Sequence, residues 1–145
     1  YSVKTVFIPM HYPDDIYIIE DVVSKMKENG YIIKNKYSVE QTLGIISKMD
    51  IFIGMRLHAL IFAASLSIPI IGLVYEPKIK GFLEYINQPS AGHVTNLDFG
   101  NLKELAEKVW ENRLEIKKQL ELNVEVLKDK ALENARIAVE LIRRT

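Results

Sequence analysis

Arg56 and His58 interrupt the most apolar part of the chain and are its best candidates for chemistry. They follow the run Ile51-Phe52-Ile53 and Gly54, and they precede Ala59-Leu-Ile-Phe-Ala-Ala64, a stretch of helical character. That position is the carboxyl end of a strand and the first turn of a helix, where open α/β sheets bind ligands. A helix N-terminus favours anions. An arginine there adds a fixed charge whose fork matches phosphate or carboxylate, and Leu57 lies between the two functional side chains. Histidine exchanges protons near neutral pH. On residue type alone, a surface arginine beside a helix-capping histidine explains the pair equally well. Tyr75, Glu76 and Lys78 follow the next apolar run, Ile70 to Val74, and His11, Asp14 and Asp15 follow Val3 to Pro9. In a parallel sheet, all of these loops fall at the carboxyl edge. Solvated loop charge accounts for Glu76 and Lys78 as readily as a cleft lining does. Helix capping alone accounts for Asp14 or Asp15. His93 reads as a surface residue.

The elements that must position these groups alternate along the chain. Val3–Pro9 is rich in β-formers and reads as the first strand. A helix carrying Ile19, Val22, Val23 and Met26 follows, with Gly30 as its stop. Tyr31–Lys34 is a short second strand. Ser38 and Gln41 form a capping box for a helix bearing Leu43, Ile46 and Met49. The third strand, the helix after Arg56 and the fourth strand make a βαβ unit, which requires parallel pairing. A helix with Phe82, Leu83 and Ile86 comes next, then a short edge strand at His93–Thr95. Asn101 with Glu104 reads as the cap of a further helix with Leu102, Leu105, Val109 and Trp110. From Arg113 to the end, a long helix shows one narrow stripe of Leu120, Val124, Leu127, Ala131, Ala135, Ala138 and Leu141. The expected fold is α/β: a Rossmann-like parallel sheet of about five strands with helices on both faces. It forms one domain over residues 1–145, with 113–145 as the long helix. Because the chain opens on Tyr1 and that helix exceeds what one small domain needs, the expectation is a fragment lacking an N-terminal domain. The helix would then pack on that domain or form a homo-oligomer.

Composition narrows the chemistry. Lys+Arg and Asp+Glu are balanced at 19 each, so no global field points to nucleic acid. The absence of cysteine excludes disulfides, thiol catalysis and cysteine zinc sites. His11, His58 and His93 lie far apart without ligand spacing, so no metal is expected. No apolar run reaches the length of a membrane span. The hydrophobic content of 48% is that of a globular domain.

The stretch Gly54-Met-Arg-Leu-His-Ala-Leu-Ile-Phe-Ala-Ala-Ser-Leu-Ser-Ile-Pro-Ile-Ile-Gly-Leu-Val-Tyr-Glu-Pro-Lys78, with Phe82-Leu83 beyond it, resembles the polysaccharide pyruvyl transferase family. The likeness is greatest to bacterial members that pyruvylate cell-wall polysaccharides. The Arg-Leu-His-Ala element, the small-residue helix and the Tyr-x-Pro-Lys loop agree in order and spacing. Ile8-Pro-Met-His11 with Asp14-Asp15 fits the strand that opens the family's second half. The resemblance implies the C-terminal half of a GT-B-like enzyme of two Rossmann-like domains, with its site in the interdomain cleft. It further implies transfer of pyruvate from phosphoenolpyruvate onto two hydroxyls of a lipid-linked saccharide, giving a ketal and phosphate. The setting would be cytoplasmic, at the inner face of the membrane, and no cofactor is required.

On this resemblance Gly54, Arg56, Leu57 and His58 line the phosphoenolpyruvate site, with Tyr75, Glu76, Lys78, His11 and Asp14 around it. His58 is the expected catalytic residue, as acid toward the methylene carbon or base toward a sugar hydroxyl. Tyr75 could stack on a sugar ring. Two rivals share the scaffold: a nucleotide-sugar glycosyltransferase or epimerase half, and a non-catalytic α/β domain that oligomerises through its last helix. Against the first, no Gly-rich phosphate loop appears, and Glu76 alone is a weak ribose ligand.

Overall fold

A computed structural model describes residues 3–143. The elements run β1 (Thr5–Phe7), α1 (Asp14–Lys25), β2 (Gly30–Ile32), α2 (Val39–Ile46), β3 (Phe52–Gly54) and α3 (Leu57–Ser65). They continue with β4 (Ile70–Val74), α4 (Pro77–Tyr85), β5 (Ser90–His93), a 3-10 turn at Val94–Asn96, α5 (Phe99–Glu111) and α6 (Arg113–Arg143). The α/β alternation and the long final helix are those expected; residues 144 and 145 lie outside the described residues.

All strand pairs are parallel, but the strands form two sheets rather than one of five. The chain divides into two units, residues 1–42 and 43–145. In the first, β1 pairs with β2 in the register Val6↔Tyr31, and α1 lies on β2. Gly30 is the first residue of β2, not the stop of α1, and it serves close packing. A Cβ there would meet Phe7 Cε2 at 2.9 Å and Val23 Cγ2 at 3.0 Å. None of this unit's described residues is fully buried, because two three-residue strands and one helix cannot enclose a side chain from all directions. The Ser38 capping box forms as expected at the start of α2: Ser38 N donates to Gln41 Oε1 at 3.0 Å, and Gln41 N donates to Ser38 Oγ at 3.3 Å.

The second unit holds the core. Its sheet has the order β3-β4-β5, with Gly54 opposite Gly72 and Val74 opposite His93. β4 is central, and Ile70, Ile71, Gly72 and Val74 are buried, which is why it reads as an unbroken apolar run. Leu60, Ala63 and Ala64 of α3 and Ile79 and Leu83 of α4 close the core around it. Gly72 allows α4 to approach, since a Cβ there would stand 2.1 Å from Leu83 Cδ1. Turning out of α3 into β4, Ser67 adopts φ 56°. Gln88 ties the start of β4 to the chain after α4, its Oε1 accepting from Ile70 N at 3.0 Å. The cap of α5 is Asp98, whose Oδ1 accepts from Asn101 N at 2.8 Å, so the helix begins earlier than an Asn101 cap would place it. β5 likewise begins earlier than His93. The α6 stripe packs on α3 and α5 at Leu120 and Val124, which are 0% and 6% exposed, whereas every residue of 128–143 is exposed.

Candidate functional site

Three parallel strands end side by side, about 4.8 Å apart, and each turns quickly into a helix. Gly54 leads to α3 through Met55 and Arg56, and Val74 leads to α4 through Tyr75 and Glu76. Gly54 itself packs, because a Cβ there would stand 2.6 Å from Phe52 Cε1 and 3.4 Å from Leu60 Cδ2. Arg56 is the N-cap of α3, with extended backbone and no side-chain cap bond. Its carbonyl accepts from Leu60 N at 3.1 Å. The amides of Leu57, His58 and Ala59 therefore open the helix without a capping side chain, and this is the arrangement that attracts anions. Leu57 is half-buried, while Arg56 and His58 are exposed.

Glu76 caps α4 from an extended backbone, with Pro77 at the first helical position, where the missing proline N–H costs nothing. Lys78 Nζ lies 3.0 Å from Glu76 Oε1. That oxygen is enclosed and receives no well-directed hydrogen bond, so the contact is an ion pair of charges rather than an aligned bond. A hydrogen bond from Tyr75, opposed by partial desolvation and aided by Lys78, holds the Glu76 carboxyl below the usual carboxylate range. The same hydrogen bond raises the Tyr75 phenol, with Lys78 and Arg56 pulling weakly the other way. Tyr75, Glu76, Lys78 and Arg56 thus share one electrostatic neighbourhood across the ends of β3 and β4. It contains two cations, one firmly ionised carboxylate and two helix N-termini. The geometry suits a small anion and leaves the His58 ring without a hydrogen bond among the described residues.

His11 and Asp14 belong to the first unit. His11 Nδ1 lies 3.1 Å from Asp14 Oδ2, and both side chains are largely exposed. Asp15 rather than Asp14 organises the turn before α1: its Oδ2 accepts from Met10 N at 2.9 Å and from His11 N at 2.8 Å. Among the described residues, no group of three or more His, Asp or Glu is placed to hold a metal ion. None of the described helices is long and apolar enough to cross a membrane.

The family model for polysaccharide pyruvyl transferase matches residues 1–77, more than half of the chain. The chain belongs to the polysaccharide pyruvyl transferase family. Neither curated proteins nor solved structures give a significant match. The match spans β1 through the first residue of α4, and so takes in Arg56, Leu57, His58, Tyr75 and Glu76. Lys78 stands one residue past its end. A polysaccharide pyruvyl transferase is a transferase of polysaccharide biosynthesis.

Proposed function

We propose that this edge binds phosphoenolpyruvate and that the chain is the donor-binding half of a two-domain, GT-B-like pyruvyl transferase. The observation that carries the reading is the convergence of Arg56, Lys78 and the N-termini of α3 and α4 at the ends of adjacent parallel strands. Phosphoenolpyruvate presents a phosphate and a carboxylate, and both are served by charge-assisted donors. In the reaction a proton is added to the methylene carbon, and a sugar hydroxyl bonds to the adjacent carbon. The bond from that carbon to the phosphate oxygen breaks, and a second hydroxyl closes the ketal. The two hydroxyl protons are balanced by the new methyl group and the departing phosphate. Arg56 and Lys78 hold the anion and neutralise charge on the leaving phosphate, and His58, the first imidazole on α3, transfers a proton. The acceptor on this reading is a saccharide of a cell-wall polysaccharide precursor. A partner domain closes the cleft, so the chain alone binds donor without turning it over.

Calorimetric titration of phosphoenolpyruvate into the chain, beside an Arg56→Ala variant, tests this. One lost contact to a charged group costs about 1.5–3 kcal/mol, so the variant binds at least about tenfold more weakly. Absence of binding by the parent chain refutes the donor-half reading. Binding of a uridine diphosphate sugar in its place directs the assignment to nucleotide-sugar chemistry.

A further inference from the structure

The sheet edge has a third strand end, and its side chain is shaped for use. β5 uses one residue more than β4 between Gly72↔Ser90 and Val74↔His93, which is a β-bulge. Gly92 supplies the turn at φ 98°, with open space where a Cβ would be, and its N–H donates to Ser90 Oγ at 3.0 Å. Bulges re-aim the following side chain and recur beside functional sites. His93, the last residue of β5, pairs with Val74, the residue immediately before Tyr75 and Glu76. The backbone of His93 therefore stands one strand spacing, about 4.8 Å, from that of Val74, the residue that leads into the loop carrying half of the anion-suited cluster.

The ring turns its Nδ1 toward Thr95. Thr95 N, which can only donate, points at Nδ1 at 3.4 Å, and Thr95 Oγ1 lies 2.9 Å from the same nitrogen. With Nδ1 accepting, the neutral ring carries its proton on Nε2. That leaves an exposed N–H donor, on an edge otherwise provided with cations and helix amides. His93 also caps the 3-10 turn through its contact with Thr95 N, and the bulge and the positive-φ Gly92 lie just before it.

We propose that His93 is a further ligand of the anionic donor, giving its Nε2–H to one of the oxygens of phosphoenolpyruvate. The inference rests on the donor reading above and adds the end of β5 to the site. The test is NMR on the isotope-labelled chain, following the imidazole nitrogens through a phosphoenolpyruvate titration, with calorimetry on His93→Ala. The free chain shows the Nε2-protonated tautomer. Addition of phosphoenolpyruvate moves the His93 Nε2 resonance, and His93→Ala weakens binding by about tenfold, as loss of one hydrogen bond to a charged group does. A Nδ1-protonated ring, a His93 signal unmoved at saturation, or an unchanged affinity in the variant overturns the proposal. If Arg56→Ala still abolishes binding in that case, the donor site stands without His93. If the parent chain binds no phosphoenolpyruvate, both readings fail together.

Discussion

Substituting Gly72 by alanine tests the packing that sets the site, because the residue lies between the sheet and the helix that carries Glu76 and Lys78. The added Cβ would stand 2.1, 2.9 and 3.0 Å from Leu83 Cδ1, Cδ2 and Cγ. Leu83 is 1% exposed, so it cannot swing into solvent to relieve the overlap. Overpacking of this kind costs about 1–3 kcal/mol, offset by the roughly 0.5–1 kcal/mol that alanine gains over glycine in a regular element. The net expectation is a loss of about 1–2 kcal/mol. With a urea m-value of about 2 kcal/mol/M, the midpoint falls by roughly 0.5–1 M. The single tryptophan, Trp110, sits on α5 in the same unit and reports its unfolding by fluorescence. Gly81→Ala is the matched control. It is mid-helix in α4 with nothing within 4 Å of a new Cβ, and gains about 0.5–1 kcal/mol. Leu83→Ala removes the obstacle, so Gly72→Ala costs little in that background, and the two losses do not add. A Gly72→Ala midpoint at or above the parent's, or strictly additive losses, refutes the steric argument. If the argument holds, the variant also binds phosphoenolpyruvate less tightly, because α4 carries Lys78 and its cap residue Glu76 with it.

Further outcomes follow from single contacts. Asp98→Ala removes the α5 cap and lowers stability by about 1 kcal/mol in the same urea assay. Gln88→Leu strands the buried Ile70 N–H and costs about 1–3 kcal/mol, with the exchange rate of that amide rising accordingly. The Glu76 carboxyl is held low in the folded chain, so its contribution to stability is present above the ordinary carboxylate range and is lost as pH falls through the depressed value. Tyr75→Phe removes the main cause of that depression. Glu76 then protonates at a higher pH, and the tightening of anion binding on acidification begins earlier, as a calorimetric pH series will show.

The part of the fold that reads most directly from sequence is the unit from β3 to β4. Its signals are local and mutually consistent: continuous apolar runs, small residues on α3, and Pro69 before β4. The run Ile70 to Val74 is the strand itself. The Ser38–Gln41 box was equally plain, because both of its partners lie within one turn. The single five-stranded sheet was not borne out, since the strand pattern of Thr5–Phe7 or Phe52–Gly54 tells nothing of which strand lies beside which. β5 begins ahead of the strand expected at His93–Thr95 because Ser90, Ala91 and Gly92 have little strand propensity, and pairing with β4 imposes their conformation. Asn101 with Glu104 imitates a capping box, yet Asp98 wins with a short direct bond to the Asn101 amide. The exposed placement of His93 agrees with its surface reading, and its register with Val74 is a non-local fact that the sequence pattern does not carry. The Arg56–His58 pair was legible because strand end and helix start fall within a few residues of sequence.

The divided environment of α6 separates two stages that helix formation usually combines. Closing the first turn of a helix is unfavourable, with a nucleation constant of about 0.001, whereas each later residue adds at a factor of about 1–1.6. Leu120 and Val124 hold their turns in the core, so the nucleus is provided by tertiary packing. The outer segment, residues 128–143, has only to propagate from it. Its amide protons should then exchange with solvent in a gradient, slowest beside Val124 and quickening toward Arg143, with no cooperative step between.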